Sequence, residues 1–357
     1  MTEPLTAAEF AARSPVTDLR LDADGTPVDT LTVVDVGTPQ DRDEVAAAVR
    51  AARRRRVGVL VGTARAGVAA ELRPLVAELD CTIVAELDCT VVARTADSPA
   101  QMAVADPDAA LAEIAATVAR APRATAAFVA LLRQTAVLDP TAGIAAESAV
   151  YSTLLAGPEF AAWLATRPRH AVPAPDEPAV LLTRDDRTLT IELDRPGRRN
   201  AFDRAMRDGL VEAFELVAAD DSITHVELRG RGPAFCAGGD LAEFGTSPDP
   251  ASAHLVRIDR SVGSRVDRCR DRVTAYLHGA CVGSGIEVPA FAADVVVAPD
   301  TTVRLPELSM GLVPGAGGTV SITRRTGRWR VAFLGLTGRA VDAGTVLDWG
   351  LGDRVGE

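Results

Sequence analysis

Apolar and polar positions follow two periods along this chain, and the switches between them mark its elements. From Leu31, LTVVDV reads as a strand, residues 42–55 carry helical spacing, and VGVLV is a second strand. Residues 68–79 then read as a second helix, with a further strand after it, which predicts a small α/β unit. Residues 107–167 are rich in alanine and leucine at helical spacing and predict three or four helices. RPRHAVPAPDEP follows, with four prolines in twelve residues, and cannot continue a helix. These patterns predict an N-terminal α/β and helical extension over 1–167, a proline-rich linker over 168–178, and a second domain over 179–357.

The second domain opens with AVLLTRDDRTLTIELDRP, a hairpin pattern with Asp185-Asp186 near its turn. A helix over 204–218, the strand THVELRG and a glycine-rich loop, GRGPAFCAGGDL, come next. A long amphipathic helix over 251–270, the strand VTAYLHG and the strand DVVVA complete the pattern. Strands alternating with helices predict a layered α/β sheet whose loops carry the chemistry.

Composition narrows the classes. A hydrophobic fraction of 47% over 357 residues supports globular structure with room for two cores. The N-terminus MTEPLTAAEF lacks a signal peptide's basic and apolar regions, and no apolar run is long enough to span a bilayer. A cytoplasmic protein without a membrane partner is therefore expected. All 38 basic residues are arginine, so Schiff-base chemistry on lysine and a phosphate-loop lysine are excluded. The net charge of −11 argues against a nucleic-acid partner. Five cysteines without a Cys-x-x-Cys argue against a disulfide framework or a zinc site, and no metal site is expected.

Two local oddities have plain readings. RRRR at 53–56 ends a helix that begins with acids, as a helix dipole favours. VAELDCTI-VAELDCTV at 76–91 is an eight-residue tandem copy, read as a short duplication extended into a strand or hairpin.

Three stretches carry candidate chemistry: AFCAGGDLAEF, HGACVGSGIE and LPELSMGLVPGAGG. In the second, Glu287 stands among residues that otherwise resemble protein interior, where an ionised side chain is costly. In their order and spacing, together with DRPGRRNAFD before them and LTGRAVDAGTVLDWGLGDRV after them, these stretches resemble the enoyl-CoA hydratase/isomerase (crotonase) family over about 179–355. The resemblance implies the ClpP/crotonase fold, a layered sheet-and-helix α/β domain, and an acyl-CoA substrate whose coenzyme A takes the place of any separate cofactor. It also implies that the N–H groups of Gly239 and Ser284 stabilise charge on the thioester oxygen, an arrangement in which one donor contributes about 2.7–4 kcal/mol. Glu287 and Glu307 match the two glutamates that flank the substrate double bond in the family's hydratases. Two carboxylates can divide the addition of water, one as acid and one as base, and sequence leaves open which does which. A helix-start carboxylate capping amides would explain Glu287 alone, but not the pair. By the same resemblance Arg199, Asn200, Ala201, Ala237, Asp240, Leu241 and Ala242 lie along the coenzyme A. Residues 244–253 and the N-terminal helices are expected to line the acyl group. Cys236, Cys281 and His278 are read as structural.

The chain also departs from the family pattern. Ser284 replaces a usual glycine, and Pro289 falls close to the expected helix start after Glu287. The chain stops at Glu357 without the C-terminal helical segment of typical relatives, and about 175 residues precede the family domain. An enoyl-CoA hydratase or dehydratase, a lyase, is the leading expectation, as a homo-oligomer or with a hetero-partner. The alternatives are an acyl-CoA isomerase or a cofactor-free aryl-acetyl-CoA dioxygenase, and a non-catalytic partner subunit.

Overall fold

The computed structural model describes residues 3–13, 20–55, 57–65, 67–85, 98–168 and 178–356. Arg56, the second tandem copy beyond Ala85 with its Cys89, and linker residues 169–177 lie outside the described residues.

The N-terminal unit is a four-stranded parallel sheet in sequential order: Leu31–Asp35, Val59–Ala64, Cys81–Ala85 and Gln101–Val104. Parallel neighbours need crossovers, and the first is the helix Arg42–Arg54, whose N-cap Asp41 accepts from the amides of Asp43 and Glu44. The second crossover is shorter than its pattern predicted. It is a 3₁₀ turn, Ala70–Leu72, followed by one α-turn, Arg73–Val76. Pro74 supplies no N–H, so a continuous helix is not sustained there. The first tandem copy is not strand throughout: it leaves the helix at Val76, turns, and becomes strand only from Cys81.

Four helices follow, Pro107–Arg120, Pro122–Thr135, Pro140–Leu155 and Pro158–Ala165. Each begins on a proline, whose missing N–H costs nothing in the first turn, and Asp106 and Asp139 cap two of them.

In the second half Val180–Asp185 and Thr188–Leu193 form the expected hairpin, with Asp186 in the left-handed region at φ 48°. They join a six-stranded sheet in the order 354–355, 294–297, 273–277, 225–230, 188–193, 180–185, parallel apart from the hairpin. The single helix expected over 251–270 is two, Pro250–Asp259 and Val262–Arg268. Ser261 caps the second by accepting from the Ser264 amide, and the first buries no residue whose packing could hold a continuous axis.

A three-stranded sheet of Ala280–Val282, Thr302–Arg304 and Val341–Asp342 positions the site. The first two strands are parallel, with Ala280 beside Thr302 and Val282 beside Arg304. The segments leaving their C-terminal ends therefore emerge side by side, one towards Glu287 and the other towards Glu307.

One core cluster spans the two halves, and a second lies within the N-terminal unit alone. The first runs from Val33, Ile83 and Phe128 to Phe291, Val320 and Leu334. Phe128 lies against Gly335, where an added Cβ would come within 2.6 Å of its ring. Asp80, 1% exposed, bridges the two helices that carry these residues: it accepts from the Leu60 amide and pairs with Arg133 at 2.7 Å and Arg328 at 3.4 Å.

Candidate active site

The segment 199–202 sets the direction of the first glycine loop. The Ala237 amide donates to Arg199 O, the Phe202 amide to Gly238 O and the Asp240 amide to Phe202 O, at 2.8–3.0 Å. This strand-like pairing alternates, so the groups of Gly239 point away from Phe202. On the other side, the Val282 amide donates to Cys236 O at 3.0 Å, and Cys236 pairs with Cys281. The loop 236–239 thus lies against the turn 282–285. Gly283 takes φ 51° and ψ −120°, a conformation open to glycine, and releases Ser284 into a helical turn, Ser284–Glu287. The substitution at Ser284 therefore brings no backbone strain, because the unusual angles fall on its neighbour. Ser284 is the first residue of that turn, and among the described residues neither its N–H nor that of Gly239 donates to a backbone or side-chain acceptor. Pro289 opens a 3₁₀ turn, Pro289–Phe291, directly after this single α-turn, which keeps the helix after Glu287 short.

Glu287 and Glu307 come together as the parallel register requires. Both are buried, Glu287 at 2% exposure and Glu307 at 8%. A Cβ at Gly283 would lie 2.6 Å from Glu307 Oε1 and 3.7 Å from Glu287 Oε1, so the two carboxyls face one another across this glycine. Their surroundings differ. Glu287 Oε2 accepts from the amides of Ala316 at 2.7 Å and Gly318 at 2.9 Å, whereas Glu307 Oε2 has no partner among the described residues. Burial pushes the Glu287 carboxyl above the ordinary glutamate range, and the loop amides pull it partly back. Burial pushes Glu307 well above that range, and the charges of Glu287 and Glu147 push it the same way. Carboxyls so placed do not all ionise together.

The helix Pro140–Leu155 brings two residues that sequence reading did not single out. Glu147, 1% exposed, reaches the loop beside Glu287, and the Tyr151 ring lies against Gly315. The signal at Glu147 was of the same kind as that of Glu287, a lone acid on an otherwise apolar and small-residue stretch, AGIAAESAV. From the next helix Phe160 and Trp163 stack at 5.7 Å, and Trp163 meets Phe244 edge-on at 5.8 Å. Phe244 in turn lies against Gly239, where an added Cβ would come within 2.9 Å of its ring.

The residues expected along coenzyme A are variously occupied. Asn200 is fully buried. Its Nδ2 donates to the carbonyls of Arg231, Ala234 and Phe235, and its Oδ1 accepts from the Arg195 amide. Its side chain braces the loop from within. Asp240 is buried, pairs with Arg198 and accepts from the Ala242 amide. Arg199 is exposed and left-handed at φ 52°, and makes no ion pair among the described residues. Leu241 is exposed, while Ala201, Ala237 and Ala242 are half-buried around the same loop. His278 contacts Gly232 O through Nε2 at 2.9 Å, and Cys236 and Cys281 are buried.

With this geometry in place, the class is defined: the chain belongs to the enoyl-CoA hydratase/isomerase family, whose family model matches residues 188–357, and its second half has the crotonase fold. It is 35% identical over 170 residues to an Arabidopsis thaliana protein named "Probable enoyl-CoA hydratase 2, mitochondrial", covering 47% of this chain and 56% of that one. It is 32% identical to the 2,3-dehydroadipyl-CoA hydratase of Escherichia coli, covering 48% of this chain and 67% of the relative. It is also 32% identical to the 1,2-epoxyphenylacetyl-CoA isomerase of that species, covering 46% and 64%. The enoyl-CoA hydratase structure from Thermoplasma volcanium aligns at a TM-score of 0.47 and 30% identity, over 50% of this chain and 72% of that one. The chain thus spans between about half and two thirds of the length of these curated relatives.

Proposed function

We propose that the protein adds water to the double bond of an enoyl-CoA thioester, or removes it in the reverse direction, with Glu287 as base and Glu307 as acid. The observation that carries this reading is the pair of buried carboxyls facing one another across Gly283, beside two amides with no acceptor among the described residues. Family membership supports the substrate class.

The asymmetry of the pair supports this division of roles. Loop amides favour the ionised form of Glu287. Glu307, with one oxygen unpartnered among the described residues and a neighbouring acid opposing its charge, keeps its proton. In the forward direction Glu287 takes a proton from water as the oxygen bonds to the β carbon. The double-bond electrons move onto the thioester oxygen, where the N–H groups of Gly239 and Ser284 stabilise them. As that enolate collapses, the Glu307 proton passes to the α carbon, and exchange with solvent returns both carboxyls to their starting states. Arg199, exposed at the mouth of the loop, would meet a coenzyme A phosphate through paired N–H donors.

Initial hydration rates over a panel of straight-chain and aryl enoyl-CoA thioesters test the reading. Glu307→Gln and Glu287→Gln should each lower kcat by about 10²–10⁴-fold, with the far-ultraviolet dichroism unchanged. Turnover by either variant at the wild-type rate would overturn it. A shifted double bond without water uptake would place the reaction with the isomerases instead.

A further inference from the structure

The loop 315–319 is held by two carboxylates that divide its amides between them. Ala316 and Gly318 donate to Glu287 Oε2 at 2.7 and 2.9 Å. Gly317 donates to Glu147 Oε1 at 2.7 Å, and Thr319 to Glu147 Oε2 through its amide at 2.9 Å and its hydroxyl at 2.6 Å. Four successive amides thus alternate between an acid of the family domain and an acid some 140 positions earlier, on the helix Pro140–Leu155. We propose that Glu147 is a positioning residue for Glu287: by anchoring the 317 and 319 amides it fixes the 316 and 318 amides against the base. The proposal rests on the hydratase reading for its consequence, since Glu287 is the base only there, but the geometry it describes does not depend on that reading.

Energetics favours a role beyond filling space. Two buried carboxylates on one short loop repel each other, and a well-packed apolar side chain is usually the less costly way to fill such a position. Glu147 is instead fully employed, with an N–H on each oxygen and the Thr319 hydroxyl on one of them. The groups that face it come from every neighbouring element. Glu287 and Glu307 lie on the family side, and Tyr151 stands one turn along its own helix. Arg257 of Pro250–Asp259 stacks on the Tyr151 ring at 4.3 Å, and His254 meets Ser148 at 2.9 Å. The arrangement also connects the extension to the chemistry. The helix that carries Glu147 continues to Tyr151 against Gly315, so the N-terminal part contributes a polar group to the framework of the site and not only a cover.

Two effects of removing Glu147 have opposite signs, which makes the proposal testable. Loss of a neighbouring negative charge lowers the pKa of Glu287. Release of the amides that stabilise its ionised form raises it. Glutamate labelled with carbon-13 at the carboxyl, assigned through the Glu287→Gln and Glu307→Gln variants, reports the titration directly in the full chain. In Glu147→Ala the titration of Glu287 should move to higher pH by about one pH unit. Its kcat should fall about 10–100-fold, with KM changed less than about threefold. Glu147→Gln keeps one acceptor oxygen but turns an NH₂ towards an amide donor, and should give a smaller effect of the same sign; it serves as the readout if the alanine variant fails to fold. An unchanged or lowered Glu287 titration in the folded variants overturns the proposal. If the wild type hydrates no enoyl-CoA yet the titration rises, the hydratase reading fails and the positioning role stands.

Discussion

Glu307 is the residue in which the cost of this site is concentrated. It is buried, one of its oxygens is unpartnered among the described residues, and the charges of Glu287 and Glu147 oppose its own, against a weak pull from Arg304. Its folded-state pKa lies above the ordinary value of 4.5. Stability from its protonated form is therefore fully present below that value and is lost as the pH rises through the raised one. Melting temperatures of the wild type and Glu307→Gln, measured from about pH 5 to about pH 8, should diverge, the variant gaining about 2–4 °C on the wild type at the alkaline end. Parallel curves would mean that Glu307 is solvated in the folded protein. Gly283 is the second sensitive residue. A side chain there meets both a left-handed φ of 51° and the Glu307 oxygen 2.6 Å away, so Gly283→Ala should cost about 1–3 kcal/mol by chemical denaturation and displace the acid. The glycine turns and both glutamates were legible in the sequence because their spacing is dictated by local geometry. The partner of Glu287 was not: Glu147 also stands alone on an apolar stretch, but it is some 140 positions away, and no local pattern encodes which loop a buried glutamate will meet.

At the scale of elements, two short parallel strands do the positioning. Ala280–Val282 and Thr302–Arg304 are in register, so turns of different sequence deliver their acids to one end of the sheet. Periodicity located the hairpin, the helix over 204–219 and the large-sheet strands well, because each has a clear buried face. It overran at 251–270, where a run of helical spacing hides a capping serine at 261. The helix Pro158–Ala165 illustrates what an element can add beyond its own length. Phe160 and Trp163 close over Phe244, which rests on Gly239, so this helix forms one wall of the site. Trp163→Ala should cost about 2 kcal/mol of stability and raise the KM for acyl-CoA more than it lowers kcat, as steady-state kinetics on the folded variant would show. An unchanged KM would separate this helix from substrate binding.

Over the whole molecule, one buried cluster joins the N-terminal unit to the family domain, and a second, from Leu5 and Phe10 to Leu60 and Leu79, belongs to the N-terminal unit alone. The sequence pattern separated them at the proline-rich stretch but carried no sign of how extensively they would pack together, since such contacts depend on pairings distant in sequence. Asp80 shows the coupling. It ties the strand Val59–Ala64 to Arg133 on one helix and Arg328 on another, with its side chain 1% exposed. Asp80→Ala leaves two arginines without their counter-charge and should cost about 3–5 kcal/mol, read as one shifted calorimetric transition for the whole chain. A separate low-temperature transition would show that the N-terminal unit unfolds independently. The chemistry itself is tested most directly by the origin of one oxygen atom. Incubated with enoyl-CoA thioesters in heavy-oxygen water, the wild type should yield 3-hydroxyacyl-CoA carrying the label on the β carbon, and Glu287→Gln should yield almost none. Labelled product formed equally by both proteins, or acyl-CoA turnover without label at that carbon, would contradict the account.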